Sequence, residues 1–124
     1  MSGTDIFIDT NICIYLLNGD VKLANLLQDQ SIHISFITEI ELFAYHGNTA
    51  ASIKILNAFI NSVTVLDVTT DIKQKTIDIR KSYKLKLPDS IIAASALTKN
   101  LPFVTADKGF DKISNLDLVL YEIA

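Results

Sequence analysis

The sequence predicts an α/β fold, a three-layer sandwich of helices around a five-stranded parallel sheet, in one domain spanning residues 1–124. Five short runs rich in β-branched and aromatic residues alternate with stretches whose apolar residues recur at helical spacing. Such alternation is typical of parallel strands joined by crossover helices that cover both faces of the sheet. A chain of 124 residues has the length of one domain, and its six Gly and Pro residues mark no linker.

The predicted elements follow in a regular order. The strand-like runs are DIFID, IHISFI, VTVLDV, PFVT and LDLVLYEI. The helical patterns cover 11–18, 21–30, 37–46, 50–61, 70–86 and 89–99. The pattern at 70–86 begins with capping threonines and has Ile72, Ile79 and Tyr83 on one side, with Lys and Arg on the other. We therefore expect that helix to pack one side on the domain and to expose the other.

Composition excludes several classes of protein. Hydrophobic residues make up 49% of the chain and charged residues 20%, as in soluble globular domains. The uncharged stretch ILNAFINSVTVL is too short to span a bilayer, so no membrane association is expected. No basic residue precedes the first apolar run, and the single Cys13 precludes an internal disulfide. These features predict a cytoplasmic location.

The metal-binding residues are also restricted. One cysteine and two histidines are too few for a zinc site of thiolate and imidazole ligands. Any metal would need oxygen ligands, which favours Mg²⁺ or Mn²⁺. Cys13, His33 and His46 are therefore expected to have structural rather than catalytic roles.

The stretch TDIFIDTNICIYLL (residues 4–17) places the carboxylate of Asp9 between a strand and a helix. A carboxylate between two apolar elements costs stability unless it is hydrogen-bonded, paired or bound to a cation. In open parallel sheets, ligands bind at the carboxyl ends of the strands. Asp9 therefore marks a candidate site.

A second acid, Glu41, lies on the helix predicted after the second strand. The apolar side of that helix consists of Ile37, Ile40 and Ala44, and Glu41 flanks it. Thr38 and Glu41 also have the spacing of a capping box, so a purely structural role for Glu41 stays open.

Two further acids occupy comparable positions. Asp89 lies in the first turn of a helix, where an acid also stabilises the helix dipole, but it shares a face with Ala93 and Ala96. Asp107 follows a short strand and a threonine, and Asp111 comes four residues later. Four acids at strand ends and helix starts together predict an oxygen-ligand site for one or two divalent ions.

The chain resembles the PIN domain family, and in particular the VapC-type toxins of bacterial type II toxin–antitoxin pairs. The resemblance rests on four motifs in family order, IFIDTNICIYLL, ISFITEIEL, LPDSIIAASAL and FVTADKGF, and covers essentially the whole chain. It implies a PIN-like sandwich and a Mg²⁺- or Mn²⁺-dependent endoribonuclease that hydrolyses RNA and thereby inhibits translation and growth.

The resemblance also implies roles for individual residues. Four match the catalytic, metal-binding acids of the family: Asp9, Glu41, Asp89 and Asp107. Three match polar residues that orient those acids or contact bound water: Thr10, Asn11 and Thr105. Gly109 stands where many relatives carry another acid, and whether Asp111 substitutes for it stays open, as does the number of metal ions.

The partners that the resemblance implies are an RNA substrate, a VapB-type antitoxin and a second copy of the chain in a homodimer. Six of the eleven basic residues lie within 73–86. Lys81, Lys84 and Lys86 are nearest in sequence to Asp89, and we expect them to contact RNA phosphates. The alternative is a merely solvated helix face.

Two other functions are compatible with parts of the sequence. A receiver-type phosphoacceptor domain would use Asp9, Asp67 and Thr105, but the usual adjacent acids after the first strand and the lysine after the fifth are missing. A PIN-like module that binds RNA or protein without cleavage is supported by Gly109.

Overall fold

The computed structural model describes residues 4–123 and contains one sheet of five parallel strands. The strands are β1 (Asp5–Ile8), β2 (Ser31–Ser35), β3 (Thr64–Leu66), β4 (Phe103–Thr105) and β5 (Leu118–Leu120). Their order across the sheet is β3-β2-β1-β4-β5. The predicted fold class is confirmed, although the third and fifth strands are shorter than their apolar runs suggested.

Six α-helices connect the strands. They are α1 (Thr10–Leu17), α2 (Val21–Leu27), α3 (Phe36–Ala44), α4 (Ala50–Ser62), α5 (Thr70–Ser82) and α6 (Leu87–Lys99). None of these helices has both the length and the apolar character needed to cross a bilayer, as far as residues 4–123 are concerned. A 3₁₀ turn at Lys108–Lys112, which the sequence patterns did not predict, follows β4.

The predicted helix at 70–86 is too long. Helix α5 ends at Ser82, and Tyr83 already has an extended backbone with φ −135° and ψ 152°. A proline can end a helix because the residue before it is disfavoured in the helical conformation. Pro88 does not end α5 in this way, since it lies in the first turn of α6. The residues between the two helices therefore form a corner, residues 83–86, at which the chain reverses.

Alternate strand residues bury opposite faces of the sheet. Phe7 and Phe103 lie on one face, where they pack edge-to-face with ring centroids 5.3 Å apart among residues of α5 and α6. Ile8 and Val104 lie on the other face, among residues of α1, α2 and α4. The period of two along each strand thus produces the three layers.

The direction of chain progression across the sheet reverses between β1 and β4. From β1 the chain proceeds outward to β2 and β3, and it then returns to place β4 on the other side of β1. Such a reversal leaves a crevice at the carboxyl ends of the two central strands. Since Ile8 pairs with Val104, the residues after β1 and β4 are brought to the same place. A receiver domain has the strand order 2-1-3-4-5, so this alternative is wrong.

Candidate active site

Asp9 is the residue directly after β1 and the N-cap of α1. It is 5% exposed, and both carboxylate oxygens are hydrogen-bonded. Oδ1 accepts from the backbone N–H of Ile12 at 3.0 Å, and Oδ2 accepts from the hydroxyl of Thr105 at 2.5 Å. The two bonds fix the orientation of the carboxylate and offset part of the cost of burying it.

The electrostatic environment of Asp9 is unfavourable to its charge. Burial raises the pKa of Asp9, whereas the hydrogen bonds from Thr105 and Ile12 lower it. The charges of Asp107 and Asp89 raise the pKa further. Asp9 is therefore part of a cluster of like charges.

Thr105, the last residue of β4, joins Asp9 to the segment after β4. Its hydroxyl donates to Asp9 and accepts from the backbone N–H of Asp107 at 3.0 Å, and the side chain is fully buried. Asp107 is more exposed and caps the 3₁₀ turn, since its Oδ1 accepts from the N–H of Gly109 at 2.8 Å.

A side chain at position 109 would contact the carboxylate of Asp107. A Cβ added there would lie 3.0 Å from Oδ1 of Asp107, closer than side chains normally pack. An acid at this position would crowd the carboxylate that the turn holds. Asp111 lies in the same turn and is exposed.

Glu41 is held by a residue of α1. The hydroxyl of Thr10 donates to Oε1 of Glu41 at 2.6 Å and lies 3.0 Å from the hydroxyl of Thr38, so it links α1 to α3. The capping-box interpretation is wrong because α3 begins one turn earlier. Its N-cap is Ser35, whose hydroxyl accepts from the N–H of Ile37 at 3.1 Å.

The predicted apolar side of α3 was also wrong. Ile40 is 56% exposed and Ala44 is exposed, whereas Thr38 and Leu42 are the buried residues of this helix. Glu41 lies next to Leu42 and one turn beyond Thr38, at the edge of the buried side. It borders the cleft for that reason and not because it flanks Ile40.

Asp89 lies in the first turn of α6, as predicted, and is half-buried. Burial is the largest cause of its raised pKa, followed by the charges of Asp107 and Glu41, and Lys86 opposes them. Asp89 thus interacts electrostatically with two of the other acids, and Asp9 interacts with Asp89 and Asp107. The four carboxylates form one coupled group.

These four acids line a single cleft of about 720 Å³ at the carboxyl ends of β1 and β4. Thr10 and Asn11 lie on the same wall. Further lining residues come from α1, α3, α4 and the segments that follow them. The apolar ones, which we call the apolar end, are Ile14, Leu17, Leu42, Tyr45, Ile55 and Leu56, and the polar ones include Asn18, Asn48 and Ser52. The cleft therefore has an acidic end and an apolar end.

Comparison with known proteins agrees with this arrangement. The family model for the PIN domain matches residues 6–116. The chain belongs to the PIN domain family. No curated protein sequence matches it.

This PIN domain is also similar to solved structures of toxins and toxin–antitoxin complexes. A chain of a toxin–antitoxin complex from Klebsiella pneumoniae is 29% identical, with a TM-score of 0.83 and coverage of 95% of this chain and 99% of that chain. A chain of VapBC-1 from nontypeable Haemophilus influenzae is 27% identical, with a TM-score of 0.76 and coverage of 94% and 97%. The sarcin-ricin-loop-cleaving toxin VapC20 of Mycobacterium tuberculosis shares the fold at 19% identity, with a TM-score of 0.66 and coverage of 90% and 97%.

The acids of the PIN domain supply the right kind of ligand for Mg²⁺ or Mn²⁺ but do not form a closed cage. Within residues 4–123, no group of three or more His, Cys, Asp or Glu side chains stands close enough to enclose an ion. Glu41 and Asp107 are turned toward their own hydrogen-bond donors, Thr10 and Gly109. Oxygen donors, mutual repulsion and a shared cleft fit a hard cation that would draw the carboxylates together.

The histidines and the cysteine of the PIN domain are not among the residues that line the cleft. Cys13 is fully buried, and burial raises the pKa of its thiol far above neutrality, so it stays protonated. His33 lies within β2, with Nδ1 3.2 Å from the carbonyl oxygen of Ser31. His46 is exposed in the segment after α3.

Sequence patterns missed the apolar end of the cleft. Tyr45 is 68% exposed and Ile55 is 58% exposed, although both line the cleft. Neither lies in a recognisable motif, and the periodicity of α4 alone does not show which of its apolar residues stay exposed. The signal available in the sequence was that α3 and α4 carry more apolar residues than one buried side of each helix can hold.

The three predicted RNA-contacting lysines lie in different surroundings. Lys84 and Lys86 line a second, smaller depression at the α5–α6 corner, and Lys86 is close enough to lower the pKa of Asp89. Lys81 is exposed near the end of α5.

Proposed function

We propose that this PIN domain is a metal-dependent endoribonuclease that acts as the toxin of a VapBC-type toxin–antitoxin pair. The observation that carries the proposal is the meeting of four acids from four separate elements, Asp9, Glu41, Asp89 and Asp107, in one cleft at the reversal point of the sheet. A coupled group of carboxylates without a catalytic histidine or thiolate suits chemistry supported by a hard cation.

The four acids would hold Mg²⁺ or Mn²⁺, and the chemistry such an ion supplies is polarisation of the scissile phosphate and activation of water. Asp9 is held in place by Thr105 and Ile12, so it provides a fixed oxygen at the base of the cleft. Thr10 controls the direction of Glu41. Asn11, which is exposed on the cleft wall, can donate to substrate or to bound water.

Positive charge must accompany such an acidic site, because carboxylates repel RNA phosphates. We propose that Lys81, Lys84 and Lys86 guide the RNA backbone. In a plot of log binding constant against log salt concentration, replacing all three by Gln should reduce the slope by up to about 2. Each lost phosphate contact accounts for about 0.7 of this reduction. Turnover at saturating RNA should change little.

The antitoxin is the partner that the apolar end of the cleft fits. Ile14, Tyr45 and Ile55 are exposed there, next to a group of acids. An apolar segment that carries a basic residue would complement both ends. The similarity to a chain of VapBC-1 from nontypeable Haemophilus influenzae supports a VapB-type partner. We also propose a homodimer and inhibition of translation, which the resemblance to VapC-type toxins implies, and a cytoplasmic location, which the composition of the chain predicts.

Cleavage of single-stranded RNA by the purified protein tests the proposal. We expect cleavage with Mg²⁺ or Mn²⁺, loss of cleavage with EDTA, and loss of cleavage in Asp9→Asn. The matched control is Asp67→Asn, because Asp67 also follows a strand of the sheet but is exposed, and its carboxylate accepts from the backbone N–H of its neighbour Val68. Cleavage that persists in EDTA would contradict metal dependence. Equal loss of cleavage in both variants would contradict the assignment of Asp9 to the active site.

A non-catalytic PIN-like binding module is the second candidate. It is favoured by the open arrangement of the carboxylates, in which no three acids of residues 4–123 enclose an ion site. RNA binding without cleavage at any tested concentration of Mg²⁺ or Mn²⁺ would support this module over the nuclease.

A further inference from the structure

A second depression, of about 440 Å³, lies at the corner between α5 and α6. It is lined by Arg80, Tyr83, Lys84, Leu85 and Lys86. Three of these five residues are basic, and Lys86 is near enough to Asp89 to lower the pKa of its carboxyl group. The depression is therefore a positively charged neighbour of the acidic end of the cleft.

We propose that this depression binds a backbone phosphate of RNA, next to the phosphate that is cleaved in the main cleft. The inference rests on the proposed ribonuclease function and specifies how the substrate is held. An RNA strand in the cleft must place one phosphate among carboxylates, so a fixed positive site for an adjacent phosphate offsets that repulsion.

The corner is held in shape by its own backbone contacts. Nη1 of Arg80 donates to the carbonyl oxygen of Leu85 at 2.6 Å. Nζ of Lys112 donates to the carbonyl oxygen of Lys84 at 2.9 Å, which adds a further cation beside the depression. Because these bonds order the backbone of the corner before RNA arrives, less backbone entropy is lost on binding than for lysines on a flexible loop.

Tyr83 attaches this corner to the segment that follows the 3₁₀ turn. Its hydroxyl donates to Oγ of Ser114 at 3.2 Å and accepts from the backbone N–H of Ser114 at 3.1 Å. The same 3₁₀ turn is capped by Asp107, so the tie sets the corner relative to one of the four acids. Tyr83 is thus a positioning residue for the phosphate site.

The experiment compares two double variants with the same change in charge. Lys84→Gln/Lys86→Gln removes two cations of the depression, and Lys73→Gln/Lys75→Gln removes two exposed cations from the first half of α5. Binding of a single-stranded RNA oligonucleotide is measured in EDTA over a range of salt concentrations. A second oligonucleotide series carries one uncharged methylphosphonate linkage at each position in turn.

The salt slope is the slope of log binding constant against log salt concentration. We expect it to fall by up to about 1.4 in the Lys84/Lys86 variant, since two lost contacts contribute about 0.7 each, and to fall much less in the control variant. One or two methylphosphonate positions should weaken binding to the wild type and have no further effect on the Lys84/Lys86 variant. Tyr83→Phe, which keeps every charge, should weaken binding by a smaller factor with the salt slope unchanged.

Equal losses of slope in both double variants would overturn the proposal, because the basic residues would then contribute only a general attraction. Methylphosphonate effects that persist in full in the Lys84/Lys86 variant would also overturn it, and would leave the corner as a contact for an acidic protein segment. The measurement needs no cleavage, so its failure is distinct from failure of the ribonuclease activity.

Discussion

Asp9, which follows a strand, and Glu41, which is carried by a helix, are held in different ways. Asp9 is buried and accepts two hydrogen bonds, one of them from the fully buried Thr105 of β4. Glu41 is exposed and is held by the hydroxyl of Thr10. The strand-end acid is thus fixed by sheet register and core packing, whereas the helix-borne acid depends on one contact between side chains of two helices. The first arrangement holds both oxygens of its carboxylate, and the second restrains its carboxylate at one oxygen.

The largest effect is expected when either kind of acid is neutralised. Asp9→Asn, Glu41→Gln, Asp89→Asn and Asp107→Asn should each lower RNA cleavage by more than about a hundredfold, since charge stabilisation by a bound ion is worth several kcal/mol. The fold should persist in all four variants by circular dichroism. Full activity of Glu41→Gln would remove the helix-borne acid from the site and leave only the remaining three.

Replacing Thr105, which bonds Asp9, and Thr10, which bonds Glu41, should have different effects on stability and on cleavage. Thr105→Val removes a buried donor from Asp9 and an acceptor from the N–H of Asp107, so it should lower the free energy of unfolding by about 1–3 kcal/mol. Thr10→Val should lower RNA cleavage by about ten- to a hundredfold, as expected for residues that orient metal ligands, with a smaller change in stability.

Urea denaturation and cleavage rates measured on both threonine variants check this contrast. Thr105→Ser, which keeps the hydroxyl, should restore most of the lost stability. A Thr10→Val variant as destabilised as Thr105→Val would show that the helix-borne acid is anchored as firmly as the strand-end acid.

A smaller effect is expected in the pH dependence of stability without metal. The pKa values of Asp9 and Asp89 are raised in the folded protein, so the folded state binds these protons more tightly than the unfolded state. The contribution of these two groups to the free energy of unfolding is therefore fully present at a pH below the pKa of unfolded Asp, about 3.9. It is lost as the pH rises through their raised pKa values in the folded protein. Asn at position 9 keeps the N-cap and carries no charge.

We therefore expect Asp9→Asn to be as stable as the wild type at about pH 3.5, near the unfolded value, and equally or more stable at pH 7. Urea unfolding in EDTA across this range measures the difference. If the wild type gained stability over Asp9→Asn as pH rose, the hydrogen bonds of Asp9 would outweigh burial and the neighbouring acids.

The same contrast explains which features the sequence could predict. Asp9 and Asp107 were found because an acid directly after an apolar strand is visible in sequence, and parallel strands bring their carboxyl ends together. Glu41 was selected with the wrong face of α3, because periodicity did not distinguish the exposed Ile40 from the buried Thr38. A long-range hydrogen bond such as that from Thr10 to Glu41 leaves no local pattern.

Helix ends and cleft shape were predicted less well for a related reason. The basic pattern of α5 continues past Ser82, but the backbone at Tyr83 is extended, and its hydroxyl is bonded to Ser114 in a distant segment. The exposed Tyr45 and Ile55 belong to a cleft that exists only once α1, α3 and α4 are assembled. Such features depend on contacts between segments far apart in the chain.

Divalent-ion binding by the single acid variants tests the central claim, that strand-end and helix-borne acids form one metal site. The melting temperature is measured with EDTA and with millimolar Mn²⁺ for the wild type, the four acid variants and Asp67→Asn. Because an ion that binds only the native state stabilises it, we expect Mn²⁺ to raise the melting temperature of the wild type and of Asp67→Asn. The increase should be much smaller in all four acid variants, and an increase equal to that of the wild type in Asp9→Asn and Glu41→Gln would contradict the account.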